Sequence, residues 1–161
     1  MKLFSKEKNM KNEPICLISP VDGEVSDLEK VPDEAFASGM LGEGFAVKPR
    51  GGTVFAPAGG VIGSVSENGH AYSIESEDFD LLVHIGVDTV HLGGAFEPMV
   101  KVGQMVAAGQ PICRVDFEKI RASGLCDMVI LLITENKCAG GIKIQKGSAR
   151  GGKDIALRIE K

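Results

Sequence analysis

The stretch Phe79–Val90, FDLLVHIGVDTV, carries one imidazole, His84, inside an apolar run. With the two-residue period of a strand, Phe79, Leu81, Val83 and Ile85 fall on one face and Asp80, Leu82 and His84 on the other. The β-branched and aromatic residues favour a strand. Gly86 marks where that strand ends or is closely approached. A histidine in such a place is most often a core residue hydrogen-bonded to a backbone carbonyl. The alternative is a nucleophile or ligand shown at a strand end, and the rest of the chain has to decide between them.

The chain is 161 residues long, enough for one domain with a real core. Hydrophobic residues make up 43% and charged residues 25%, as in ordinary globular proteins. A formal net charge of -4 argues against a nucleic-acid partner, whose phosphates demand a basic face. Aromatics are few and Gly residues number 21, so short apolar runs are separated by many turns, which points to an all-β fold. None of Cys16, Cys113, Cys126 and Cys138 forms a C-x-x-C pair, so a zinc knuckle or thioredoxin-type site is not expected. Cys16 and Cys113 lie in strand-like runs and are expected to be buried thiols. No signal-peptide pattern opens the chain, which fits a reducing cytoplasm. The longest apolar run, Met128–Ile133, is far too short to span a membrane.

Residues 1–13, MKLFSKEKNMKNE, are charged and expected to be flexible, although Leu3 and Phe4 followed by lysines suit a weak membrane-touching turn. Strand-like runs follow from Ile15, punctuated by Pro20, Pro32 and many glycines. Asp116–Gly124 is the best helix candidate, with Asp116 to cap it and Gly124 to end it. IKIQK and IALRIEK close the chain as strands. Short, evenly spaced strands imply a β-sandwich or open barrel. TVFAPAGGVIGSV and VKVGQMVAAGQPICRV echo each other, as the halves of biotinyl and lipoyl carriers do. No lysine lies between Lys48 and Lys101 to hold such a cofactor, so the echo speaks for the fold only.

His70, in NGHAYSIES, stands 14 residues before His84, across a hairpin pattern that breaks at Ser76–Asp78. A three-residue loop there puts His70 opposite His84, whereas a two-residue loop is expected to turn the rings to opposite faces. Two facing imidazoles allow three chemistries. They can hold zinc, given a third ligand such as Asp80, Asp88 or His91. They can serve a hydrolase, though no convincing nucleophile accompanies them. Or one ring can carry a phosphoryl group while the other stabilises it.

LLVHIGVDTVHL resembles the phosphohistidine segment of the glucose-type enzyme IIA of the bacterial sugar phosphotransferase system. SPVDGEV, LEKVPDEAFASGMLGEGFAVKP, FAPAGGVIGSV, GHAYSIES and FEPMVKVGQMVAAGQPICRVDFEKI extend the resemblance in order from about Ile15 to Ile159. The resemblance implies a flattened, barrel-like antiparallel β-sandwich with one or two short helices, forming a single EIIA type 1 domain over residues 14–161. It implies that His84 accepts phosphate from HPr and hands it to a cysteine of the IIB domain of a glucose-, N-acetylglucosamine- or β-glucoside-type permease. His70 then grips the phosphoryl oxygens and the Gly86 carbonyl orients the nucleophilic ring. Asp33 and Asp88 face a basic patch on HPr, and Phe36 belongs to the docking rim. No cofactor is required on this reading, zinc at His70 and His84 being the one metal to consider. The location implied is cytoplasmic, at the membrane permease, with regulatory proteins as further partners.

The sequence also departs from that pattern. The hairpin between the histidines is one residue short, and Asp78 replaces its customary glycine. Asn68 stands where a threonine is usual two residues before the first histidine, and His91 replaces an acidic or polar residue. GLCDMVILLITEN lacks the usual Thr-Pro. Two other readings stay in view: an adaptor on the same fold that transfers nothing, and a zinc peptidase of the lysostaphin type. The peptidase reading has its H-x-x-x-D, His84 to Asp88, but no H-x-H.

Overall fold

The computed structural model describes residues 13–138 and 140–160. Apart from Glu13, the N-terminal segment, with Leu3 and Phe4, lies outside the described residues. The elements in order are β1 (Ile15–Ile18), β2 (Gly23–Asp27), a 3-10 turn (Leu28–Lys30), α1 (Glu34–Ala37), β3 (Glu43–Pro49), β4 (Thr53–Phe55), β5 (Gly60–Val65), β6 (Ala71–Glu75), β7 (Phe79–Ile85), β8 (Phe96–Pro98), β9 (Met105–Val106), β10 (Pro111–Val115), α2 (Phe117–Ala122), β11 (Val129–Asn136), β12 (Ile142–Ile144), β13 (Gly147–Ala149) and β14 (Ile155–Ile159). The fold is all-β, with two short α-helices among the described residues.

The larger sheet runs β13-β2-β3-β11-β7-β6-β5-β9, and two three-stranded sheets run β1-β14-β12 and β4-β10-β8. The strand pairings are antiparallel. One core joins the three sheets: Phe45, Ile62, Tyr72, Val83 and Leu131 of the large sheet pack with Leu17, Val54, Ile112, Leu157 and Ile159 of the smaller ones. The two echoing segments pair with each other, β5 with β9 and β4 with β10.

A second apolar cluster lies on the other side of the large sheet. Leu28 of the 3-10 turn, Val31 just after it and Phe36 of α1 cover Ala46, Ile130 and Leu132. Strands β3 and β11 are therefore buried on both faces. This explains why Met128–Ile133 is continuously apolar, where a half-buried strand alternates. Strand β7, at the border of this cover, does alternate: Phe79, Leu81, Val83 and Ile85 are buried, and Asp80, Leu82 and His84 are partly open. A slip of one residue would exchange the two sets. Burial of each aliphatic side chain is worth roughly 1.5–3 kcal/mol, so the register of β7 is held firmly.

Helix α2 forms as its sequence predicts. The Asp116 side chain accepts from Lys119 N at 3.1 Å, and Gly124, at φ 77°, follows the last turn. Of the two cysteines expected inside, Cys113 is fully buried on β10. Cys16, on the edge strand β1, is only half-buried. Among the described residues, no helix is long and apolar enough to cross a membrane.

Candidate functional site

His84 projects from the outer face of β7, one residue before the strand ends. Its Nδ1–H donates to the carbonyl of Gly86 at 2.8 Å. A carbonyl only accepts, so this bond places the proton on Nδ1 and leaves the lone pair on Nε2. Gly86 suits the position for two reasons. Its φ is 77°, and a Cβ there would lie 2.5 Å from Thr89 Cγ2 and 3.0 Å from the Cys126 carbonyl. The loop is held from below: Gly86 N donates to Met128 O at 2.8 Å and Val87 N to Cys126 O at 3.0 Å. Between those two acceptors lies Asp127, only 2% exposed, which takes Lys48 Nζ at 2.6 Å and Arg121 Nη1 at 2.7 Å. Burial would raise its carboxyl, but the hydrogen bonds from Lys48 and Arg121 hold it below the usual carboxylate range.

His70 stands one residue ahead of β6. Its ring meets that of His84 edge-to-face, with centroids 4.9 Å apart and planes at 84°. On the other side of His84 lies the ring of Phe36, at 5.1 Å. Burial, and then the neighbouring His84, lower the pKa of His70 to about 4. Burial also lowers His84, partly offset by the Gly86 hydrogen bond and by the charges of Asp33 and Asp88. Both rings are thus neutral at pH 7, and His84 offers an unprotonated Nε2.

This site coincides with a family assignment. The sequence profile described as "phosphoenolpyruvate-dependent sugar phosphotransferase system, EIIA 1" matches residues 15–138. The chain belongs to that EIIA family. It is 36% identical over 150 residues to the "PTS system glucose-specific EIIA component" of Staphylococcus aureus (strain COL), covering 92% of this chain and 90% of that protein. It is 37% identical over 144 residues to the "PTS system glucose-specific EIICBA component" of Streptococcus pneumoniae, covering 88% of this chain. The "PTS system N-acetylglucosamine-specific EIICBA component" of Escherichia coli is 44% identical over 109 residues, 66% of this chain. The matches span only 20% and 17% of those two longer proteins. Among solved structures, "glucose permease IIA from Mycoplasma capricolum" superposes with a TM-score of 0.85 at 30% identity, covering 91% of this chain and 96% of that one. The shared fold is the β-sandwich of an EIIA.

The structure brings most of the sequence-selected residues together, but not through direct cross-strand pairing of His70 with His84. Ala71, not His70, pairs with His84, and the turn is a two-residue one at Glu77–Asp78, closed by Ser76 N donating to Phe79 O at 3.0 Å. Neither Glu77 nor Asp78 has a positive φ, so the customary glycine is dispensable. A two-residue loop was expected to separate the rings. It does not, because His70 is not yet in the strand: it follows a bend at Gly69, φ 84°, and strand alternation does not govern it. The pair is also less open than a strand face would be, with His70 only 7% exposed.

Asp33 accepts from Ala35 N at 2.9 Å and so caps α1, while its charge still reaches His84. Asp88 is exposed on the loop after β7, in a left-handed conformation at φ 60° that Asp tolerates better than most residues. Phe36, expected on a docking rim, is only 8% exposed and forms the wall behind His84. His91 is exposed, and no hydrogen bond or ring contact ties it to the pair. Asp80 lies at the far end of β7, ion-paired with Lys137 at 3.1 Å. Among the described residues, no group of three His, Cys, Asp or Glu side chains is placed to hold a metal ion. Asn68, which the sequence shows only as a departure from the family pattern, turns out to bind the site together. Its Nδ2 donates to the carbonyls of Thr89 at 2.7 Å and Leu92 at 3.1 Å, and its Oδ1 meets His70 Nδ1 at 2.5 Å. An Asn-Gly turn next to a candidate histidine was the available signal.

Proposed function

We propose that this chain is a phosphocarrier that takes a phosphoryl group from HPr onto His84 and passes it to the IIB domain of a sugar permease. The observation that carries this reading is the hydrogen bond from His84 Nδ1–H to the Gly86 carbonyl, which commits one nitrogen and frees the other beside a second imidazole. The His84 Nε2 lone pair attacks phosphorus, and the donor's P–N bond breaks as its imidazole leaves. His70 is the neighbour placed to grip the phosphoryl oxygens. Such transfer needs positioning and charge stabilisation rather than elaborate covalent chemistry. Burial assists in a second way. A less basic imidazole is a better leaving group, which suits a carrier that must give the group up again.

Asp33 and Asp88, both acting on His84, give the docking side a negative field that speeds the encounter with a basic donor. Exposed Val90, beside Asp88, adds apolar surface to that side. The printed names of the relatives point to a glucose- or N-acetylglucosamine-type permease. A carrier with these partners works in the cytoplasm, at the membrane face of the permease. Zinc could take the two Nε2 lone pairs only with further ligands from another molecule, since the described residues supply no third. The same shortage counts against the peptidase reading.

The test is labelling from phosphoenolpyruvate through enzyme I and HPr. His84→Ala should abolish uptake of label, whereas His70→Gln should accept phosphate but fail to pass it to IIB. Normal labelling of His84→Ala would overturn the assignment.

A further inference from the structure

Asn68 is bound on three sides. Its Nδ2 donates to two backbone carbonyls, Thr89 and Leu92, so the amide cannot be turned round without setting its oxygen against both. That leaves Oδ1 facing the ring of His70, 2.5 Å from Nδ1 and 3.3 Å from the backbone N. An amide oxygen has no proton to give, so Nδ1 of His70 must carry one. Ser66 agrees with this arrangement. Its hydroxyl lies 3.0 Å from the same Nδ1, accepts from Ala71 N at 2.9 Å, and points its own proton at Asn68 Oδ1, 3.4 Å away. A bare lone pair on Nδ1 would instead face the amide oxygen directly. Among the described residues, Nε2 of His70 and Nε2 of His84 have no hydrogen-bond partner, and in the neutral rings both are acceptors.

We propose that Asn68 is a positioning residue that locks His70 in its Nδ1–H form and ties it to the loop after the nucleophile, so that His70 grips a phosphoryl group only by taking a proton onto Nε2. The inference rests on the phosphocarrier reading of the same site. His84 Nε2 forms the N–P bond, the donor's P–N bond breaks, and one proton from solvent adds to the lone pair of His70 Nε2. His70 then donates Nε2–H to a phosphoryl oxygen while Nδ1–H stays on Asn68.

The surroundings permit this change. The titratable neighbour of His70 is His84 on β7, with Asp33 and Asp88 beyond it acting on His84. From β8 the neighbour is the apolar ring of Phe96, at 6.4 Å, and from β10 the Cys113 thiol, which points at the Gly69 carbonyl at 3.8 Å. No carboxylate therefore competes for the proton at rest, and His70 stays neutral. A phosphoryl group brings close to two negative charges, and one opposite charge within ~4–6 Å moves a group by about 1–3 pKa units.

The experiment uses the full chain with ¹⁵N-labelled histidine, at rest and after phosphorylation by HPr. Nitrogen shifts identify which ring nitrogens carry protons. At rest, His70 should show a protonated Nδ1 and a bare Nε2, and after phosphorylation both should be protonated. An indicator dye should report about one more proton taken up per phosphoryl group than in Asn68→Thr, whose hydroxyl can donate to Nδ1 and release the other tautomer. Wild-type onward transfer should weaken as pH rises above neutrality, while Asn68→Thr should lose that dependence. A residue that merely braced the loop would slow transfer without moving the nitrogen shifts or the proton count. A neutral His70 with its proton on Nε2, in either state, overturns the proposal. If the chain takes up no phosphate, the coupling falls together with the phosphocarrier reading, and the resting spectrum then decides whether the lock itself stands.

Discussion

Gly86→Ala tests the geometry beneath the nucleophile. Two effects add. A side chain at φ 77° costs about 1–2 kcal/mol through its clash with the following carbonyl. The new methyl also lands 2.5 Å from Thr89 Cγ2 and 3.0 Å from the Cys126 carbonyl, in a loop whose Thr89 is fully buried. Overpacking of this kind costs about 1–3 kcal/mol. The expected loss is therefore ~3 kcal/mol, measured by urea denaturation with the slope unchanged. Thr89→Ser deletes Cγ2 yet keeps the hydroxyl that donates to Ile85 O at 2.6 Å. The double variant should thus recover ~1 kcal/mol relative to the sum of the singles, the coupling expected of residues in contact. Phosphorylation should fall further than stability, because the carbonyl that orients His84 moves, and a 1 Å misplacement can cost about 10²-fold in rate. A Gly86→Ala protein of wild-type stability, or a cycle with no coupling, would refute the reasoning.

Three further outcomes follow from the charges. His70 has a pKa of about 4 when folded and an ordinary 6.5 when unfolded, so on acidification the unfolded chain binds the proton first. Stability should fall as pH drops from about 6.5 to about 4, by a total of order 3 kcal/mol, and His70→Gln should flatten that slope in pH-dependent denaturation. Removing both Lys48 and Arg121 leaves the Asp127 carboxylate buried and unpaired, and should cost about 3–5 kcal/mol. Asp127→Ala should cost less, because Lys48 and Arg121 are half exposed and water can take over. The ranking is read by thermal melts, and a larger loss for Asp127→Ala would contradict it. HPr-dependent phosphorylation should slow as salt rises, since exposed charges are screened beyond about 8 Å at physiological ionic strength. Asp33→Asn with Asp88→Asn should slow it again; asparagine at 33 keeps the α1 cap, which a lysine would remove. Rates indifferent to salt and to both substitutions would argue against steering.

Much of this architecture is legible in the sequence where one physical signal dominates. The alternation of FDLLVHI set the inward and outward faces of β7 correctly, and Asp116 with Gly124 bracketed α2. The 3-10 turn and α1 were not legible. They are three and four residues long, too short for helical periodicity, and tertiary packing onto Ala46, Ile130 and Leu132 holds them. That cover also explains Phe36, whose place against His84 depends on a layer no pattern announced. The histidine pair is implied by the resemblance, but its register is not legible, because His70 lies in a bend where strand alternation does not hold. Asn68 was seen only as a departure. Two of its bonds reach segments 21 and 24 residues away, which local sequence does not reveal.

Everything proposed for this site depends on His84 carrying the phosphoryl group through Nε2. The direct measurement is the site of phosphorylation after incubation of the intact chain with enzyme I, HPr and phosphoenolpyruvate, read by ³¹P and ¹⁵N resonance on the same sample. One phosphohistidine is expected, with phosphorus coupled to Nε2 of His84 while Nδ1 keeps its proton on the Gly86 carbonyl. Phosphorus on His70, on His91 or on Nδ1 of His84, or a chain that stays unphosphorylated, would contradict it.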